Sequence, residues 1–241
     1  MPLARTLRRF LSRYAYGLGA IFLPRVCSVC GRHLLPTENC VCRLCLDELP
    51  ATMFEGFRGN PVEDRMAGRV PLRSAFACYY FRHGEALRDL IHDFKYHANT
   101  ALARELGREM GRRALSSGFL ADYDVLVPVP LHAKKQKMRG YNQSLLIAQG
   151  LSQVSGLPVV SDALLRVIFA STQTRLSAEQ RYVNVQNDFA LGPGASQLVG
   201  KAVLLVDDVF TTGATSEACL GPLLTIEGIS VGIATLAYAG G

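Results

Sequence analysis

The chain has 241 residues, 49% of them hydrophobic and 19% charged, which suits one large core or one core with a small satellite module. This composition argues against a disordered chain, and no apolar run reaches the length that spans a bilayer, which argues against an integral membrane protein. The formal net charge of +6 points only weakly to an anionic partner, since many basic proteins bind nothing acidic.

The N-terminal stretch LARTLRRFLSRYAYGLGAIFLP places Leu7, Phe10, Leu11, Tyr14, Leu18, Ile21 and Phe22 at helical spacing. Its arginines extend to Arg13, and the short apolar part holds two glycines and no clear small-residue cleavage site, which argues against a signal peptide. A basic amphipathic helix can lie on an anionic membrane surface. Packing on the protein's own body is the favoured reading, with a cytoplasmic location. From Arg5 to Arg43 there are seven arginines and one acid, Glu38; a solvated face and an anion-binding surface both stay open.

Five of the seven cysteines fall in CSVCGRHLLPTENCVCRLC. Cys27-x-x-Cys30 and Cys42-x-x-Cys45 each bring two thiolates to one tight knuckle, and the eleven residues between the pairs allow a hairpin to join the knuckles in a tetrahedral zinc site. An odd cysteine count and a reducing compartment weigh against disulfides. Cys40 and His33 are spare ligands that could replace a member of the set. Cys78 and Cys219 stand in apolar stretches and are expected as buried thiols.

Residues 1–50 are therefore read as an amphipathic segment with a zinc module, 51–73 as a linker that partly packs, and 74–241 as the main domain. In that domain SAFACYYF predicts a strand, and GEALRDLIHDFKY and ALARELGREMGRRAL predict helices. DVLVPVP reads as a strand, NQSLLIAQGLSQVSG as a helix, and a short strand follows near Val159. After an ambiguous polar stretch over 169–187, KAVLLVDD reads as a strand, ATSEACLGPLLTIEG as a helix and SVGIATLAYA as a closing strand. Strands alternating with helices imply a parallel sheet covered on both faces.

Ligands of such sheets bind beyond the carboxyl ends of the strands. The run VLLVDDVFTTGAT, 203–215, ends a strand in Asp207-Asp208 and continues into Thr211-Thr212-Gly213-Ala214-Thr215. Two carboxylates can accept hydrogen bonds from sugar hydroxyls or hold a divalent cation through water. The free N–H groups of the following helical turn suit a phosphate, with three threonine hydroxyls as added donors and Gly213 permitting close approach. An acid pair at a strand end also occurs in phosphoacceptor domains, and a threonine-rich turn can simply cap a helix. Neither explains the adjacency of the two features, which describes a ribose 5-phosphate site.

That run resembles the phosphoribosyl diphosphate signature of type I phosphoribosyltransferases. HDFKYH at 92–97, VPVPLHAKKQKMRGYNQSLLIA at 127–148, and Gln180-Arg181-Tyr182-Val183-Asn184 ahead of Phe189 narrow the resemblance to the ComF (GntX-like) family, whose zinc-binding module the four cysteines also resemble. The stretch FASTQTRLSAEQR, 169–181, is poorer in basic residues than that pattern. The resemblance implies a type I phosphoribosyltransferase-like α/β fold, with Asp207 and Asp208 as the catalytic pair of any transferase and Mg²⁺ accompanying the diphosphate. It further implies that the loop after Val127-Pro128-Val129-Pro130 contacts pyrophosphate, so that Leu131, His132 and Ala133 offer backbone N–H groups.

Lys134, Lys135, Lys137 and Arg139 then lie where a diphosphate needs cations; for Lys134 and Lys135, plain solvation is the competing reading. Lys95, Tyr96, Tyr141, Asn142, Gln143 and Arg181 are candidates for substrate or DNA contact. His83, His92 and His97 show no ligand spacing, and no Ser-His-Asp or Cys-His arrangement is visible. Two functions follow. One is the handling of single-stranded DNA in competence, with a helicase-type translocation protein as a partner and a retained sugar-phosphate site. The other is an active phosphoribosyltransferase with an unidentified acceptor.

Overall fold

The computed structural model describes residues 25–81, 86–167 and 188–240, with Ala133 and Lys134 described by backbone alone; the N-terminal amphipathic stretch, Arg181 and the polar stretch 169–187 lie outside the described residues. Contacts divide the chain into two compact units, Met1–Glu48 and Leu49–Gly241. Among the described residues no helix is long and apolar enough to cross a membrane.

In the first unit a bridge between Val26 and His33 closes one knuckle, and helix α1 (Arg43–Asp47) leaves the other. Glu38, the lone acid of the arginine-rich stretch, is buried, accepting N–H groups of Leu35 at 2.9 Å and Arg43 at 2.8 Å and the guanidinium of Arg32 at 2.8 Å. These backbone donors, then Arg32, hold its carboxyl below the usual range. One acid thus organises the turn between the cysteine pairs.

In the second unit, helix α2 (Pro61–Met66), capped by Asn60, belongs to residues 51–73, where Phe54, Val62 and Met66 are buried. Strand β1 (Ala75–Tyr80), helix α3 (Ala86–Tyr96) and helix α4 (Thr100–Ser116) follow. Then come β2 (Val125–Pro128), α5 (Ala133–Arg139) and α6 (Gln143–Ser155). A hairpin pairs β3 (Leu164–Arg166) with β4 (Phe189–Leu191). The chain closes with β5 (Ala202–Phe210), α7 (Ala214–Leu223) and β6 (Ser230–Tyr238). The four long strands form one parallel sheet in the order β1-β6-β5-β2, so the closing strand lies between the first and the fifth. Near-continuous burial of Val203 to Val206 and Val231 to Ala237, with Gly232 between, is what a parallel sheet covered by helices demands. Cys78 and Cys219 are buried, as expected.

The resemblance implies a loop after Pro130, and the sequence reading names no strand at 164–166 or 189–191; the structure has α5 and the β3–β4 pair there. Three-residue strands and a seven-residue helix carry too few periods to announce themselves. Near Val159 there is a single bridge to Leu126 instead of a strand.

Helices α4 and α6 pack through glycines. A Cβ at Gly107 would stand 2.2 Å from the carbonyl oxygen of Ile147, and one at Gly150 would stand 2.1 Å from that of Arg104. Backbone cannot give way as a side-chain tip can, so Gly150→Ala should cost about 2–3 kcal/mol or more, with Gly156→Asn, at an open left-handed helix end, close to neutral. Urea unfolding of the two variants checks the contrast.

Candidate functional site

The carboxyl edge of the sheet is built by strands of unequal length. Pairing of β2 with β5 ends at Pro128 opposite Val206, and the Val129 N–H still reaches the Val206 carbonyl at 2.9 Å. In a parallel ladder the next rung would run from the Asp208 N–H to the Val129 carbonyl. Here the Asp208 N–H is taken by Oδ1 of Asp207 at 2.8 Å, and the Val129 carbonyl by Nδ2 of Asn142 at 3.0 Å. Beyond Val206 the edge facing β2 is therefore open. The strand does not stop at Asp208, as KAVLLVDD suggests: β6 continues beside it, pairing Asp207 with Thr235 and Phe210 with Tyr238.

Asn142 also caps α6 through Oδ1, receiving the N–H groups of Ser144 at 3.0 Å and Leu145 at 3.5 Å. That cap presents the Ser144 hydroxyl, which donates to Oδ1 of Asp207 at 2.8 Å. Burial first, and then the charge of Asp208, pushes the Asp207 carboxyl up to about 7, against the opposing pull of Ser144, the Asp208 N–H and Lys95. Asp208 has its own counter-charge: the ammonium of Lys95, in the last turn of α3, lies 2.7 Å from its Oδ2. Mg²⁺ demands near-octahedral oxygen ligands at about 2.0–2.1 Å. Oδ1 of Asp207 accepts two hydrogen bonds and Oδ2 of Asp208 faces an ammonium, so an ion on these oxygens would have to displace those partners.

After Phe210 the chain turns through Thr211 and Thr212, both exposed, into Gly213 at φ +80° and then α7. A Cβ at Gly213 would meet the Met66 sulfur at 2.6 Å, so a larger residue would have to displace that side chain besides adopting an unfavourable torsion. Ala214 and Thr215, half-buried, form the first turn, whose N–H groups face no intrahelical acceptor. Arg69 clasps this turn from the segment after α2, donating to the Thr212 carbonyl at 2.7 Å and to Glu217 at 2.9 Å through Nε.

The basic segment is helical. Lys135 and Lys137 are exposed on α5, and Leu131 and His132, half-buried, precede it; the Lys134 side chain lies outside the described residues. The Lys135 ammonium is lowered, first by partial desolvation and then by the charges of Arg166 and Arg139. Arg139 stacks over Tyr96 at 5.2 Å, and Tyr96 in turn lies 4.6 Å from the His92 ring. Arg166, in β3, pairs with Asp188 at 3.0 Å. Tyr141 donates its hydroxyl to the Phe94 carbonyl, which ties the α5–α6 turn to the end of α3, and Gln143 is buried at 3% exposure.

The structure thus gathers Asp207, Asp208 and Lys95, sets the 211–215 turn next along β5, and uses Tyr141 and Asn142 to hold the chain. The reading of motifs missed Ser144, Arg166 and Arg69. Ser144 alone had a local signal, as the second residue after a helix-capping asparagine.

In the first unit the sulfurs of Cys27, Cys30, Cys42 and Cys45 all lie within 4.8 Å of one another. Zinc–sulfur bonds of about 2.3 Å give a tetrahedron edge of about 3.8 Å, and Cys30 and Cys42 are 3.8 Å apart. The N–H groups of Val29 and Cys42 point at the Cys27 sulfur at 3.4 and 3.3 Å. Burial alone would raise the Cys27 thiol, yet the backbone donors of Cys42, Cys30 and Val29 outweigh it and bring it to about 6. The four thiols therefore fit one tetrahedral metal such as zinc, and neither Cys40 nor His33 joins them.

Metal analysis of the purified chain should accordingly find about one zinc, retained by Cys40→Ser and lost by Cys42→Ser. The Asp207 carboxyl is raised from its ordinary value of 3.8 to about 7. Between those values the folded state keeps a proton that the unfolded chain has released, so this group's contribution to stability falls as the pH rises. Asp207→Asn should gain on the wild type across that window and most above about pH 7, as urea unfolding at acidic and alkaline pH will read.

No protein-family model matches the chain. It is 37% identical over 134 residues to "Competence protein F" of Haemophilus influenzae, covering 54% of this chain and 58% of that protein. It is 31% identical over 194 residues to "DNA utilization protein YhgH" of Escherichia coli, covering 79% of this chain and 80% of that protein. Among solved structures, a glutamine phosphoribosylpyrophosphate amidotransferase from B. subtilis, complexed with ADP and GMP, superposes with a TM-score of 0.36 at 22% identity, over 54% of this chain and 25% of that one. The long match to the Escherichia coli protein, together with the four-cysteine cluster and the parallel sheet, shows that the chain belongs to the ComF family.

Proposed function

We propose that this chain binds a sugar phosphate of the phosphoribosyl diphosphate type at the carboxyl edge of its sheet and handles single-stranded DNA in the cytoplasm during DNA uptake. The observation that carries the first half is one stretch of chain, β5 and the turn after it, that sets two carboxylates directly before an N-terminal helical turn. Ribose hydroxyls would donate to Asp207 and Asp208, and the 5-phosphate would take the N–H groups of 213–215 with the hydroxyls of Thr211, Thr212 and Thr215. Lys135 and Lys137, exposed on α5, and Arg139 over Tyr96 would supply charge for a diphosphate, with Leu131 and His132 at the entry to α5. Mg²⁺, which the resemblance implies, is given no direct carboxylate ligand in this reading.

The DNA half draws support from the names of the relatives, which speak of competence and DNA utilization, and from the exposed lysines of α5. A helicase-type translocation protein is the partner that such a role calls for. The second reading, an active transferase, is favoured by the adjacency of the acid pair and the threonine turn, and no acceptor site is recognisable among the described residues.

Calorimetric titration separates these readings. Phosphoribosyl diphosphate should bind the wild type and not the double variant Asp207→Asn with Asp208→Asn. Affinity for a single-stranded oligonucleotide should fall linearly in log–log form with salt, by about 0.7 per phosphate contact. Lys135→Ala with Lys137→Ala should flatten that slope for every sequence alike. Absence of strand binding at low salt would leave the transferase reading in front.

A further inference from the structure

The contact between Lys95 and Asp208 is not a loose surface pair. Its side chains are 20% and 17% exposed, at 2.7 Å, and the backbone that carries the lysine is fixed on every side. The residue before it, Phe94, is buried and has its carbonyl engaged by Tyr141, and the residue after it, Tyr96, is stacked against Arg139. Two residues before Lys95, Asp93 accepts the side-chain amide of Asn99 at 2.7 Å, and Asn99 caps α4. Between the two helices Ala98 stands at φ 57°, a left-handed conformation that non-glycine residues adopt only at a cost, so α3 must end where it does. The lysine is thus aimed by structure on both flanks, and its last-turn position also suits a cation at a helix C-terminus.

Two neighbouring carboxylates on an open strand edge call for positive charge, and a dissolved divalent ion would ordinarily meet that need. In this chain a tethered ammonium meets it. An ion bound to Asp208 would sit within a few ångströms of the lysine nitrogen, where like charges in a poorly solvated edge repel strongly. We infer that Lys95 is the resident cation of the acid pair, and that it keeps divalent ions off Asp207 and Asp208 in the free protein. With the lysine in place the pair carries less net negative charge, which eases the approach of an anionic ligand. This inference concerns the free protein and stands whether or not the ligand is a sugar phosphate.

The test uses the zinc-loaded full chain and Mn²⁺ alone, with free Mn²⁺ read from its electron paramagnetic resonance signal. Lys95→Met should bind Mn²⁺ at least about tenfold more tightly than the wild type. Lys95→Arg should behave like the wild type, and Asp208→Asn added to Lys95→Met should erase the gain. Equal affinity of the wild type and Lys95→Met, strong or weak, overturns the inference, as does a gain that survives Asp208→Asn. Lys95→Gln, which keeps a donor to Asp208 without the charge, carries the same comparison should Lys95→Met fail to fold. A wild type that takes no phosphoribosyl diphosphate sinks the sugar-phosphate reading separately, and the Mn²⁺ comparison still judges Lys95.

Discussion

The hydrogen bond from Val129 to the Val206 carbonyl is the last rung between β2 and β5, and the carboxyl edge takes its form from the ladder stopping there. Pro128 and Pro130, flanking Val129, have no N–H to donate, and the two groups that would form the next rung turn elsewhere. One of them brings in Asn142 and with it the start of α6; the other folds back onto Asp207. A missing rung thereby becomes a crevice with one wall already capped.

The end of α3 is the opposite wall. Its last three residues reach three different places: Phe94 to the turn before α6, Lys95 to Asp208, and Tyr96 to the basic helix. A short stretch of backbone thus fixes the position of an acid's counter-charge and of an arginine of the basic helix together. Its sequence, HDFKYH, shows none of this, because each contact is made with a residue more than forty positions away.

Legibility in the sequence followed range. The long elements, the parallel sheet, the four cysteines and the pair Asp207-Asp208 with its threonine turn were all visible, since each rests on periodicity or on local spacing. What stayed hidden depends on distant partners or on few residues. Ser144 matters because α6 docks beside β5; Arg166 because a three-residue strand delivers it; Arg69 because the segment read as a linker closes over the turn at 212. Tyr141 and Asn142 were noticed as chemistry and found holding backbone, which residue type alone cannot distinguish.

The glycine contact between α4 and α6 has a mechanical consequence. With backbone pressed on backbone at Gly107 and Gly150, these helices lack the compliant layer of side chains along which packed helices usually slide. Ser144 rides at the head of one helix, and Lys95, in the last turn of α3, is joined to the other through the short link His97-Ala98-Asn99. The partners of the two acids are therefore geared together. A ligand that draws one of them away loads the other through a stiff transmission rather than through the strand they share.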